Sequence, residues 1–143
     1  GGLGGQIRLR VHRLVNIELY TDHMIGTMGD ALRHDHEVGG TVQLNVLGGE
    51  RWSVFPMLGA CASLAVARAP QDRDVSVNDI QFGLRAGVGF EYALGEGFSF
   101  EAQALALAYL GHSFDVYGWS ASTSSELSVW PLGQVVLGAN YYF

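Results

Sequence analysis

The chain contains little charge, little proline and almost no cysteine. Only 15% of its 143 residues are Asp, Glu, Lys or Arg, against roughly 25% in a typical soluble domain. The single cysteine, Cys61, excludes an internal disulfide. The 8 basic residues are spread thinly along a chain of net charge −6, so the sequence predicts no nucleic-acid partner.

Long uninterrupted hydrophobic runs are absent as well. The two longest charge-free stretches, 52–67 and 127–143, are shorter than the about 20 residues that a membrane-spanning helix needs. Both stretches also contain proline and glycine, which weaken or break helices. A transmembrane helix is therefore not expected, although 48% of the residues are hydrophobic.

What the sequence does contain is period-two alternation, which is typical of strands with two different faces. In residues 80–94 every second side chain is apolar, and the intervening positions include Arg85 and Glu91. The same alternation predicts seven strands, at residues 3–11, 15–25, 38–46, 53–67, 80–94, 98–110 and 129–143. The sixth has apolar residues on both faces beyond Ala104, where a bulge would exchange the faces.

The lengths of the strands and their connections suggest a membrane. The predicted strands have 9 to 15 residues, whereas soluble strands usually have about 5 to 6 and tilted bilayer-crossing strands about 9 to 11. Short turns near 12–14, 48–51 and 95–97 alternate with long polar loops near 26–37, 68–79 and 111–128. Outer-membrane barrels sort their loops in this way. We therefore expect the apolar face to meet lipid and the sheet to close around the polar face.

The C-terminal stretch GQVVLGANYYF carries apolar or aromatic residues at alternate positions and ends in Phe143. It resembles the C-terminal strand of bacterial outer-membrane barrels, and the whole chain resembles the small OmpA/OmpX/opacity-type barrel domain. The resemblance implies a bacterial outer-membrane location, contact with its lipid, and recognition of Tyr141 and Phe143 by the barrel-assembly machinery. The predicted fold is an all-β, antiparallel up-and-down transmembrane β-barrel, forming a single domain over 1–143.

The strand count departs from this pattern. Single-chain bacterial barrels normally have an even number of strands, but the alternation predicts seven. A strand missing before Gly1 would restore eight, which is the number we expect in the complete barrel. The alternatives are two strands fused within 1–25 and a barrel with an odd strand number.

The polar face of the predicted barrel carries both signs of charge. An eight-stranded barrel is just wide enough to be filled by its own side chains, and buried charges must be paired. We therefore predict a polar, charge-paired interior network. Its members are Arg8, Arg10, Glu18, Gln43, Asn45, Arg85, Glu91, Glu101, Gln103 and Gln134. Such a network either plugs the barrel or lines a narrow pore.

Two motifs could carry chemistry. The stretch DALRHDHE holds His34 and His36, which would share one face of an extended segment near carboxylates, as in a zinc site. His and Asp are, however, ordinary residues of a solvated loop. The stretch GHSFD holds His112 and Ser113, which as neighbours in a strand would point to opposite faces. We expect no metal, cofactor or catalytic site.

The sequence thus predicts an outer-membrane β-barrel with a structural or surface-interaction role and long extracellular loops, for an extracellular partner that it does not identify. A small porin or channel for small solutes is the first alternative. A membrane-embedded lipid-modifying enzyme, such as a lipid A acylase or deacylase, is the second. A soluble lipocalin-like barrel is the rival fold, but it would place the apolar residues inside.

Overall fold

The computed structural model describes residues 1–28, 31–69, 71, 74, 76–95, 97–117 and 120–141. Their secondary structure is entirely β. The strands are β1 (Gly2–His12), β2 (Val15–Met28), β3 (Ala31–Leu44), β4 (Leu47–Gly48), β5 (Trp52–Arg68), β6 (Ser76–Gly95), β7 (Phe98–Tyr117) and β8 (Ser120–Tyr141). The described part of the chain contains no helix that could cross a membrane.

The strands form one antiparallel sheet in the order β1-β2-β3-β5-β6-β7-β8, with the two-residue β4 paired to β5. Each long strand therefore lies beside its neighbours in the chain, as an up-and-down meander requires. The seven long strands correspond one to one with the seven predicted from alternation, and the all-β antiparallel class is confirmed. Within the described residues β1 and β8 do not pair, so the sheet is not closed.

The sheet is curled, because polar side chains of distant strands meet on its concave face. Arg8 of β1 lies 3.0 Å from Glu91 of β6 and 2.5 Å from Glu101 of β7. Gln6 of β1 donates to Asn140 of β8 over 2.9 Å. The first and last strands thus face each other across a gap that only side chains bridge in the described residues.

The two faces have the polarity expected from the alternation. On β6, Leu84 is 66% exposed on the convex face, whereas its neighbour Arg85 is 2% exposed on the concave face. Large exposed hydrophobic side chains occur on all seven long strands. Burial of apolar area from water would drive the opposite arrangement.

The concave face is not uniformly polar. A buried cluster fills part of it, formed by Tyr20, Phe55, Met57, Cys61, Leu105, Leu107 and Tyr109. β7 pairs with β6 and with β8 without an extra residue around Ala104, so the predicted bulge there is wrong. The apolar side chains of β7 stay on the concave face and pack there. Gly89 makes room for the ring of Phe55, which a Cβ atom at that position would overlap.

The connections at one end are shorter than predicted. β2 and β3 pair up to Met28 and Ala31, and β7 and β8 pair up to Tyr117 and Ser120. The predicted long loops 26–37 and 111–128 are therefore wrong. The polar residues there form strands, because backbone hydrogen bonds between strands do not require apolar side chains. Part of 68–79 lies outside the described residues, and β6 already begins at Ser76. The predicted short turns 12–14 and 48–51 are confirmed. Residue 96 of the third lies outside the described residues, and β6 ends at Gly95 close to the start of β7 at Phe98.

Candidate functional site

Polar side chains occupy the concave face in two connected groups. The first, which we call the Arg8 cluster, contains Arg8 with Glu18, Glu91 and Glu101. The second, the Glu37 cluster, contains Glu37 with Tyr20, Arg85 and Tyr109. Both groups draw on strands that are far apart in the sheet. They therefore depend on its curvature and not on pairing within one hairpin.

In the Arg8 cluster one guanidinium faces three carboxylates. Its Nη2 lies 2.9 Å from Glu18 Oε2 and 2.5 Å from Glu101 Oε2, and its Nη1 lies 3.0 Å from Glu91 Oε2. The guanidinium carbon also lies 5.4 Å from the centre of the Phe55 ring. If all three carboxylates are ionised, the cluster carries more negative than positive charge, so Arg8 alone does not neutralise it.

Neutral donors surround these carboxylates and offset part of the excess charge. Glu18 accepts hydrogen bonds from Gln43 Nε2 at 2.7 Å and Thr41 Oγ1 at 3.3 Å. Glu101 accepts a hydrogen bond from Asn140 Nδ2 at 2.8 Å. Further donors are Gln6 and Gln103 to Glu101 and Ser99 to Glu91. Hydrogen bonds to an ionised acceptor are about twice as strong as neutral ones.

In the Glu37 cluster a fully buried carboxylate is held by two phenols. Tyr20 donates to Glu37 Oε1 over 2.7 Å, and Tyr109 donates to Oε2. Arg85 Nη1 lies 3.8 Å from Glu37 Oε1, and the guanidinium stacks 4.0 Å from the centre of the Tyr20 ring. The Arg85 guanidinium therefore lies between a carboxylate and a π face, while its Nε and Nη1 atoms have no hydrogen-bond partner among the described residues.

The structure brings most of the predicted interior residues together. Arg8, Glu18, Gln43, Glu91, Glu101 and Gln103 join the Arg8 cluster and its donors, and Arg85 joins the Glu37 cluster. Gln134 is half-buried, and its amide contacts Met24 Sδ at 3.7 Å instead of the network. Asn45 is half-buried in the connection after β3, where its backbone N–H donates to Leu14.

Arg10 does not lie in the interior. Its side chain is exposed, and the register of β1 shifts between Arg10 and His12 beside the turn to β2. Its paired neighbour Asn16 is buried on the concave face, but β1 has no strand beside its other edge among the described residues. Alternation alone could not indicate this exposure. Tyr141 is the exposed last residue of β8, and Phe143 lies outside the described residues.

Alternation also missed the centre of the second cluster. Glu37 had been placed in a predicted loop, yet it lies on β3 in step with Thr41 on the concave face. Counting back by twos from Thr41 through Gly39 to Glu37 and Asp35 would have found it. Asp35 pairs with Arg33 at 2.8 Å, and Arg33 reaches Gln81 at 2.8 Å.

The GHSFD stretch shows no nucleophile arrangement in its described part. His112 Nδ1 lies 3.2 Å from Asp79 Oδ1, and the His112 backbone N–H donates to Asp79 Oδ2 over 2.8 Å. These contacts join β7 to β6 near the end of the sheet. The side chain of Ser113 lies outside the described residues.

The gap between the free edges of β1 and β8 encloses a cavity of about 1090 Å³. On one side it is lined by the glycine-rich start of β1, including Gly2, Gly4 and Gly5, and on the other by β8 from Trp130 to Tyr141. The Arg8 side chain lies at its inner wall. In comparisons with protein families, curated proteins and solved structures, none matches this chain.

Proposed function

We propose that this chain forms an outer-membrane β-barrel with a structural or surface-interaction role and a lumen plugged by its own side chains. The observation that carries the proposal is the inverted polarity of the sheet: exposed hydrophobic side chains on every long strand, and buried ion pairs on the concave face. Soluble monomers rarely expose contiguous apolar areas beyond a few hundred Å². Lipid is the solvent in which this arrangement is favourable.

The strand lengths support the same environment. β8 has 22 residues, which at about 3.3 Å per residue and a tilt near 45° gives a height of roughly 50 Å. The hydrocarbon core needs only about 30 Å. The 14-residue strands β2 and β3 reach only roughly 33 Å by the same arithmetic. The surplus length would therefore carry the β7–β8 hairpin beyond the lipid, where it would form the surface-exposed part.

The proposal requires the seam between β1 and β8 to close. Each backbone N–H or C=O group left without a hydrogen bond in hydrocarbon costs roughly several kcal/mol. Closure can occur by direct pairing of the two edges or through a further strand between them. Gln6 and Asn140 already meet across this seam.

The Arg8 cluster favours a plug over a pore. Side chains from β1, β2, β6 and β7 meet there within 3.0 Å, so the lumen is crossed by direct contacts at this level. A small channel remains the second candidate, because the carboxylates outnumber the guanidinium that binds them and would favour cations.

The test combines a heat-modifiability gel of the purified chain in detergent with conductance recordings in planar bilayers. We expect a compact, fast-running band that slows on boiling, and no stable conductance steps. A monomer that stays soluble and folded in plain buffer would overturn the membrane barrel. A reproducible unitary conductance that changes on Glu101→Gln would show that the barrel is a channel and not plugged.

A further inference from the structure

Three histidines come together on the convex face. His23 of β2 is directly paired with His36 of β3, and His34 lies two residues before His36 on the same strand. Alternate residues of a strand share a face, so the three imidazoles lie on one side of the hairpin. The carboxylates of Asp35 and Glu37 lie on the other side, bound to Arg33, Tyr20 and Tyr109.

The rings are already close to one another. His23 Nδ1 lies 3.0 Å from His36 Nδ1, with 4.2 Å between the ring centres, and the centre of the His34 ring lies 5.9 Å from that of His23. Two nitrogens bound to one tetrahedral Zn²⁺ at about 2.0 to 2.1 Å are about 3.3 Å apart. His23 and His36 therefore approach the spacing of a chelating pair.

The third ring has an unused donor or acceptor. His34 Nε2 is buried and has no hydrogen-bond partner among the described residues. Its directly paired neighbours on this face, Ile25 and Val66, offer no polar group, and the neighbours of His23 and His36 are Leu3 and Leu64. The three histidines have apolar paired neighbours on both sides. His23 and His36 hydrogen-bond each other, and a bound ion would replace that bond and also give His34 a partner.

We propose that His23, His34 and His36 form a binding site for one divalent transition metal ion of the zinc, nickel and copper class. Neutral imidazole is a ligand that these ions share, whereas Mg²⁺ and Ca²⁺ prefer oxygen. Three protein nitrogens leave at least one coordination position for water or another ligand. The bound ion would tie β2 to β3, and the site does not depend on the membrane proposal.

Binding requires a small rearrangement. As they stand, the described side chains contain no group of three or more His, Cys, Asp or Glu residues that encloses an ion position. A change in the side-chain torsions of His34 would turn a nitrogen toward the His23–His36 pair. No described hydrogen bond of the Nε2 atom opposes this rotation.

The test is a titration of the metal-free, detergent-purified full chain with ZnCl₂ by calorimetry, and with CuCl₂ by electron paramagnetic resonance. We expect one ion per chain and a copper spectrum with nitrogen superhyperfine structure from three imidazoles. Loss of an outer-shell partner typically weakens a metal site about 10- to 100-fold. His23→Ala, His34→Ala and His36→Ala should each weaken binding by at least that factor.

Two other histidines serve as matched controls. His12 lies at the far end of β1 and His112 contacts Asp79, so His12→Ala and His112→Ala should leave affinity and stoichiometry unchanged. Far-ultraviolet circular dichroism establishes that each variant keeps its β structure. Binding that survives in His23→Ala or His36→Ala overturns the site, and full affinity in His34→Ala overturns the three-histidine arrangement.

Discussion

Arg8 and Arg10 lie two positions apart on the same strand, yet their surroundings differ completely. Arg8 is enclosed by Glu18, Glu91 and Glu101, whereas Arg10 is exposed near the turn to β2. Removing one partner of a buried ion pair leaves an uncompensated charge and costs about 3 to 5 kcal/mol. An exposed charge contributes about 0 to 1 kcal/mol.

The two arginines therefore give a matched pair of variants. Arg8→Met should lower the free energy of unfolding by about 3 to 5 kcal/mol, because three carboxylates lose their common cation. Arg10→Met should change it by less than about 0.5 kcal/mol. Urea unfolding in detergent, followed by tryptophan fluorescence, measures both. Equal effects of the two substitutions would contradict the Arg8 cluster.

Glu37 and Arg85 allow a second test at the residue scale, since each lies almost fully buried beside the other. Glu37→Gln should be strongly destabilising because it leaves the Arg85 guanidinium without a counter-charge. Adding Arg85→Met to Glu37→Gln should recover part of the loss, with a coupling of about 0.5 to 3 kcal/mol. The full double-mutant cycle is measured by the same unfolding experiment. Strictly additive losses would show that the two side chains do not interact.

At the scale of the strands, the alternation of polar and apolar residues predicted the number of long strands and the face on which their side chains lie. It predicted seven strands and assigned their faces, because a side chain's polarity depends on which face it occupies. It placed Arg85 and Leu84 on the correct sides. It did not predict how far a strand continues, since the backbone ladder forms with polar side chains as well as apolar ones. Glu37 was missed for this reason.

The alternation also did not indicate which residues on one face of a strand are buried and which are exposed. Arg8 and Arg10 lie on the same face of β1 by alternation, yet Arg8 is enclosed by carboxylates and Arg10 is exposed. The apolar residues of β7 were another conflict, because a bulge near Ala104 had been predicted to turn them to the other face. Leu105 and Leu107 instead pack with Phe55 and Met57, a contact between strands distant in sequence that no local pattern can indicate.

The continuation of β7 and β8 predicts slow hydrogen exchange where a loop had been expected. Val116 pairs with Ala121 and Phe114 with Thr123, so their backbone groups belong to a ladder. Amide exchange measured by mass spectrometry on the detergent-solubilised chain should show protection in 114–117 and 120–123. Glu50 and Arg51, which lie in a turn outside the strands, are the internal comparison. Complete exchange of both regions at the first time point would show that they form a loop and not paired strands.

At the scale of the whole molecule, one question decides the rest: which solvent covers the convex face. Leu84 lies in the middle of the apolar side of β6, and Leu94 lies at its end beside the turn to β7. Arginine on the lipid face of a membrane barrel costs about 2 to 4 kcal/mol at the bilayer midplane and about 0 to 1 kcal/mol near the interface. In water both positions are exposed and tolerate arginine.

Leu84→Arg and Leu94→Arg therefore distinguish a membrane barrel from a soluble sheet without knowledge of any ligand. In lipid vesicles, Leu84→Arg should lower the free energy of unfolding by about 2 to 4 kcal/mol and Leu94→Arg by at most about 1 kcal/mol. Urea titration of folding into the vesicles, followed by the heat-modifiability gel, measures both. If Leu84→Arg is neutral, water covers the convex face. The concave clusters would then be a buried polar core in a water-soluble protein, and the free edges of β1 and β8 would be where such a sheet meets a partner strand.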